Sequence, residues 1–149
     1  MTSFDYTFNI PTNGILSSDE LHFFYYDVMR DTEAGIQTIY EWNGEIYTFL
    51  NEKGIKVENM EKGSLPQSVD KDKIYFSVLE NETMPLAFFR HLRNAFAHHR
   101  IVRCCEYLHL EDVQGKNLTM KGLVKFQDLK ELCFLFFNQR TKFENMNNI

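Results

Sequence analysis

Phe88-Phe89-Arg90-His91-Leu92-Arg93-Asn94-Ala95-Phe96-Ala97-His98-His99-Arg100-Ile101 is the stretch on which the reading of this chain turns. Phe88, Phe89, Leu92 and Phe96 recur at helical spacing, with Ala95 beside them, and so form an apolar stripe centred near Leu92. Thr83 and Pro85 mark the start, because proline is tolerated in a first helical turn, where its missing N–H costs nothing. The helix is expected to run to about residue 100. Asn94 and His98 are four apart and share a second face, joined by His91. Arg93 falls between that face and the stripe, so its stem lies along apolar surface while its guanidinium reaches out beside His98.

Downstream, Cys105 to Glu111 and Asn117 to Lys121 alternate polar with apolar residues around Gln114-Gly115-Lys116, which predicts a β-hairpin turning at Gly115. A last helix follows from about Phe126 to Phe143, with Phe126, Leu129, Leu132, Cys133, Phe136 and Phe137 on its buried side. Upstream, Ser17 and Glu20 make a capping box, with Leu16 and Leu21 as the matching hydrophobic staple. Helically spaced apolar residues run from Leu21 through Phe24, Tyr25, Val28, Ile36, Ile39, Tyr40, Ile46 and Tyr47 to Leu50. They predict one long helix, or two broken near Gly35 or Asn43-Gly44. Residues 52–73 are polar and read as a connection, and Ile74 to Leu79 leans towards helix rather than strand. Residues 1–16 read as an irregular arm, with turn signals at Pro11 and Asn13-Gly14. The fold class expected is all-α, a helical bundle with one β-hairpin before the C-terminal helix, in a single domain over 1–149. With 14 Phe and 7 Tyr, the core should be aromatic, and the Phe and Tyr stripes read as core rather than as a platform for bases.

Composition narrows the function classes. The net charge is −5, which argues against non-specific coating of nucleic acid. Yet residues 90–103 hold four Arg and three His with no Asp or Glu. A compact positive spot on an acidic body suits one or two phosphates better than a long duplex. Arg90 and Arg100 are the candidates for steering phosphate, and Arg103 is read with them as solvated or steering. The start of the chain lacks the basic and apolar pattern of a secretory signal. Its longest wholly apolar run, Cys133 to Phe137, is far short of the roughly 20 residues of a spanning helix. The expectation is a cytoplasmic protein without membrane association. Cys104, Cys105 and Cys133 fit neither a disulfide framework nor a zinc ribbon. His91, His98, His99, Cys104, Cys105 and His109 are of the right type for zinc but match no finger spacing, so no metal and no cofactor are expected.

Arg93, Asn94 and His98 together suit cleavage of an RNA phosphodiester. An imidazole titrates near neutrality and removes a proton from a ribose 2′-hydroxyl. A guanidinium offers paired donors to phosphate oxygens as negative charge grows there. An amide orients either group, and the product is a 2′,3′-cyclic phosphate. One His supplies only a base or only an acid at a given moment, so a second copy across a dimer interface would fill the other role. Each residue also has an ordinary structural reading. Arg93 would pair with a carboxylate in the bundle, Asn94 would make a structural hydrogen bond near the helix end, and His98 would be a half-buried structural histidine. His99 reads as packing if the helix continues, and His91 as surface decoration.

An Arg, a polar residue, and a His after three more residues, on a late helix of an aromatic-rich chain, resembles the Rx4–6H signature of the HEPN superfamily. Arg93, Asn94 and His98 take the positions of that motif. Leu92 to Ile101, followed by a hairpin and a terminal helix, is similar to a plasmid- and bacteria-borne HEPN subfamily. The order of elements matches over residues 17–143, the specific motif only over 93–98. The resemblance implies a four- to five-helix bundle in a symmetric homodimer, with two motifs facing one cleft and cutting single-stranded or loop RNA without metal. It further implies a toxin or defence effector, with a cognate antitoxin as its protein partner, or else a HEPN domain that binds RNA or nucleotides, or serves as a dimeric interaction module, without catalysis. In HEPN toxins controlled by adenylylation a Tyr lies two residues after the His. Arg100 stands there in this chain, so that control is not implied.

Overall fold

The computed structural model describes residues 15–35 and 39–147, with side chains to residue 146. The expected arm therefore lies outside the described residues up to residue 14, as does Ile36 of the upstream stripe.

Among the described residues the fold is four helices and a five-stranded mixed sheet, which corrects the all-α bundle expected from the sequence. Helix α1 comprises an α-helical turn Ser18–His22, a π-helical stretch Phe23–Met29 and an α-helical turn Arg30–Glu33. The capping box forms as read: Ser17 Oγ accepts from the Glu20 N–H at 3.2 Å, and the Ser17 N–H donates to Glu20 Oε1 at 2.7 Å. Leu16 packs against the core, whereas Leu21 is left largely to solvent. Helix α2, Gly44–Lys53, is capped by Asn43, whose side chain accepts from the Ile46 N–H, and ends at Gly54 in the left-handed region. The upstream stripe is thus two separate helices. Strands β1, Lys56–Asn59, and β2, Lys73–Phe76, follow. Helix α3 is Met84–Ala97, its start capped by Thr83. Strands β3, Ile101–Cys104, β4, Tyr107–Gln114, and β5, Asn117–Lys125, lead directly into helix α4, Phe126–Asn147.

The sheet order is β1-β2-β5-β4-β3, with β1 and β2 parallel and the other pairs antiparallel. The expected hairpin is present as β4 and β5, and Gly115 takes φ +60 in its turn. It is the centre of a sheet rather than a decoration. Ile74-Tyr75-Phe76 forms strand, not helix: Ile74 and Phe76 are buried among the helices while Tyr75 faces the other side of the sheet. A four-residue strand is too short to show period-2 alternation in the sequence, so β-branched and aromatic content was the available signal.

One face of the sheet carries Ile74, Phe76, Leu108, Leu110, Met120 and Val124 into the main core with the helices. Phe88 and Phe89 of α3 meet Phe136 of α4, with ring centroids 6.3 and 5.5 Å apart, so aromatic packing holds the motif helix against the terminal one. Gly122 in β5 sits where a Cβ would come within 3.2 Å of Ile74 Cγ1, so its lack of a side chain lets β2 and the core close over the strand. Tyr40 donates to Asp31 Oδ1 at 2.6 Å, and Arg140 meets the same carboxylate at 3.0 Å, tying α1 to α4. No helix among the described residues is long and apolar enough to cross a membrane.

Candidate functional site

Helix α3 stops at the motif. His98 is its C-cap, and His99 follows at φ 58, in the left-handed region that a side chain disfavours. The Arg100 N–H donates to the Ala95 carbonyl at 2.7 Å and the His99 N–H to the Phe96 carbonyl at 3.1 Å. These two bonds are a Schellman closure, which satisfies carbonyls that a helix end otherwise leaves bare. His99 therefore does not return to the apolar stripe. It is exposed, as is His98.

Arg93 and Asn94 are half-buried on the last full turn, and Arg93 Nη1 donates to Asn94 Oδ1 at 3.2 Å. That bond holds the guanidinium beside Asn94, four positions before the His98 cap. Arg93 and His98 are five positions apart, roughly 7.5 Å of rise along a helix.

The carboxylates decide which cations are occupied. Arg90 is held by Glu82 through Nε at 2.7 Å and Nη2 at 3.0 Å. Burial works to raise the Glu82 carboxyl, but hydrogen bonds from Arg90 and from the Leu79 N–H hold it below the usual carboxylate range. Arg100 donates to Glu111 at 2.9 Å, and Arg103 Nε lies 3.8 Å from Glu20. Burial likewise works to raise Glu111, while the hydrogen bond and charge of Lys121 bring it below its ordinary value. Among the described residues, Arg93 is the one arginine of this segment without a carboxylate partner. Arg90, expected to steer phosphate, is instead committed to Glu82. Arg100, the other steering candidate, shares its charge with Glu111 while staying partly open to solvent.

His91 is fully buried rather than on the surface. Its Nδ1 lies 2.7 Å from Asp112 Oδ2 and its Nε2 2.7 Å from the Ser77 carbonyl oxygen, so it fastens α3 to β4 and to the end of β2. Sequence reasoning missed this role because Asp112 and Ser77 are far away along the chain. It missed as well that Tyr25 and Tyr26 stand at the surface, outside the aromatic core. Cys104 is half-buried, Cys105 exposed and Cys133 buried, all as free thiols. Among the described residues no group of three His, Cys, Asp or Glu gathers as a metal would require.

The arrangement offers a guanidinium that has no carboxylate partner among the described residues, an amide that accepts from it and an exposed histidine at the helix end. Comparison with protein families, with curated proteins and with solved structures finds no match for this chain.

Proposed function

We propose that this chain is a metal-independent endoribonuclease that cuts RNA through a 2′,3′-cyclic phosphate, acting in the cytoplasm as a toxin or defence effector. The observation that carries the reading is the Arg93 guanidinium, which among the described residues has no carboxylate partner and donates to Asn94, five positions before the exposed His98. The likeness of Arg93, Asn94 and His98 to the HEPN motif supports it. The sheet departs from the all-helical body expected with that motif, so the reading rests on the motif and its chemistry rather than on overall fold.

In the proposed reaction the His98 imidazole takes the proton of a ribose 2′-hydroxyl. The freed oxygen attacks phosphorus, the bond from phosphorus to the 5′-oxygen breaks, and the cyclic phosphate forms. Arg93 donates to the phosphate oxygens as their charge grows, with Asn94 holding its guanidinium in place. The leaving 5′-oxygen needs a proton, which His98 of the partner subunit supplies in a homodimer whose two helix ends face one cleft. A cognate antitoxin would be the partner that silences such an enzyme.

Labelled RNA incubated with purified protein in EDTA tests this. Wild type is expected to cut, His98→Ala to lose cutting, and Arg93→Ala to fall roughly a hundredfold in rate, the scale of losing one oxyanion donor. Equal cutting by wild type and His98→Ala, or none by either across several RNAs, overturns the proposal. The presence of one motif histidine per chain favours a second reading, RNA binding without scission, which predicts salt-sensitive affinity and intact strands.

A further inference from the structure

A pocket of about 490 Å³ lies beside the motif, lined by Leu21, Tyr25 and Met29 of α1, by Phe96 and His99 at the end of α3, and by Ile101 of β3. That volume is in the range of sites for small organic groups. Ala97 is also on its wall, one helical turn after Arg93, so the turn that carries the uncommitted guanidinium also carries the pocket. Among the described residues no Asp, Glu, Lys or Arg lines it.

Its aromatic groups are set for stacking. Phe96 rests on Phe24 with ring centroids 5.5 Å apart and planes 20° from parallel, which fixes its ring from behind. Tyr25 is 58% exposed, and its ring centroid lies 5.1 Å from that of Tyr26, itself 48% exposed. Tyr26 in turn meets His22 at 4.7 Å, so an aromatic surface continues from the pocket outward along α1. Among the described residues β3 is an outer strand of the sheet, and it adds polar groups. The Glu111 N–H donates to the Arg100 carbonyl, and Val102 pairs with His109, so the alternation of an antiparallel ladder turns the Ile101 N–H and C=O off that edge.

A nucleobase is flat, apolar on both faces, polar along its rim and tethered to a phosphate. We infer that this pocket receives one unpaired base of the RNA strand whose phosphate Arg93 holds, with Tyr25 as the residue that stacks on it and the Ile101 backbone facing its rim. The inference rests on the RNA-cleaving reading and deepens it: the enzyme requires single-stranded RNA because the base must leave its helix to enter. It also makes Tyr25 a determinant of which nucleotide flanks the cut.

The test uses the His98→Ala protein, expected to bind without cutting, and a short single-stranded RNA with its abasic counterparts at each position. Adding Tyr25→Ala is expected to weaken binding of the base-bearing RNA by roughly tenfold, the scale of one lost stack. Binding of the RNA that is abasic at the pocket position should not change, and Tyr25→Trp should restore affinity for the intact strand. Tyr25 is mostly exposed, so these variants keep the core intact. An equal loss on both RNAs, no loss on either, or a dimer that dissociates on Tyr25→Ala overturns the pocket while leaving the nuclease reading standing. If neither RNA binds and wild type cuts nothing, the nuclease reading itself has failed and the pocket assignment falls with it.

Discussion

Arg93 owes its proposed role to what it lacks. Three neighbouring arginines lie within ion-pair distance of Glu82, Glu111 and Glu20, which leaves one guanidinium of the segment without a carboxylate partner among the described residues. A lysine there would keep the charge but lose the fork of donors that grips two phosphate oxygens. Arg93→Lys is therefore expected to retain RNA binding within a few-fold while cleavage falls at least tenfold, as read from binding and single-turnover rates on one RNA. Retained cleavage would show that charge alone suffices. At the opposite extreme stands His109, a buried ring that burial, and then the charge of Lys121, push down to about 4 from an ordinary 6.5. As pH falls below about 6.5 the unfolded chain takes up a proton that the folded ring refuses until about 4, so stability is lost across that window. The loss is on the order of 3 kcal/mol. Urea unfolding at pH 7 and pH 4.5 should show wild type losing more stability than His109→Gln, and equal losses would contradict this.

At the scale of elements, helix α3 is held to the sheet by the buried pair of His91 and Asp112, with Ser77 accepting at the other ring nitrogen. Breaking one side leaves a polar group stranded in the core, so His91→Ala is expected to cost about 3 kcal/mol or more in denaturant unfolding. Replacing the pair together, as His91→Phe with Asp112→Leu, should cost much less than the two single changes combined, and additive losses would speak against a coupled pair. This junction also marks where sequence reading stopped. The capping box at Ser17, the hairpin of β4 and β5, the motif helix and the terminal helix were all legible, because each declares itself through local periodicity or turn chemistry. Strands β1 and β2 were not, nor was β3 between the motif helix and the hairpin. Each is four residues long, and the parallel pairing of β1 with β2 joins segments separated by the loop between Asn59 and Lys73, which leaves no local trace. In the site, Arg93, Asn94 and His98 stood out by spacing. The carboxylates that claim Arg90 and Arg100, and the surface position of Tyr25, depend on tertiary neighbours that spacing cannot report.

At the scale of the whole molecule, an acidic chain of net charge −5 leaves a single arginine of residues 90–103 without a carboxylate partner among the described residues, which suits contact with one phosphate of a flexible strand and not retention of long duplexes. One motif histidine per chain makes the proposed reaction a property of two copies. Sedimentation at micromolar concentration should give a dimer, and activity per chain should fall on dilution below the dimer's dissociation constant; a monomer with undiminished activity would remove the shared-site mechanism. The RNA ends left in EDTA are the most direct measurement. Wild type should leave paired 2′,3′-cyclic phosphate and 5′-hydroxyl termini that vanish in His98→Ala. Termini bearing 3′-hydroxyl and 5′-phosphate, or the same cyclic ends from both proteins, would contradict the assignment of His98 as the group that activates the ribose.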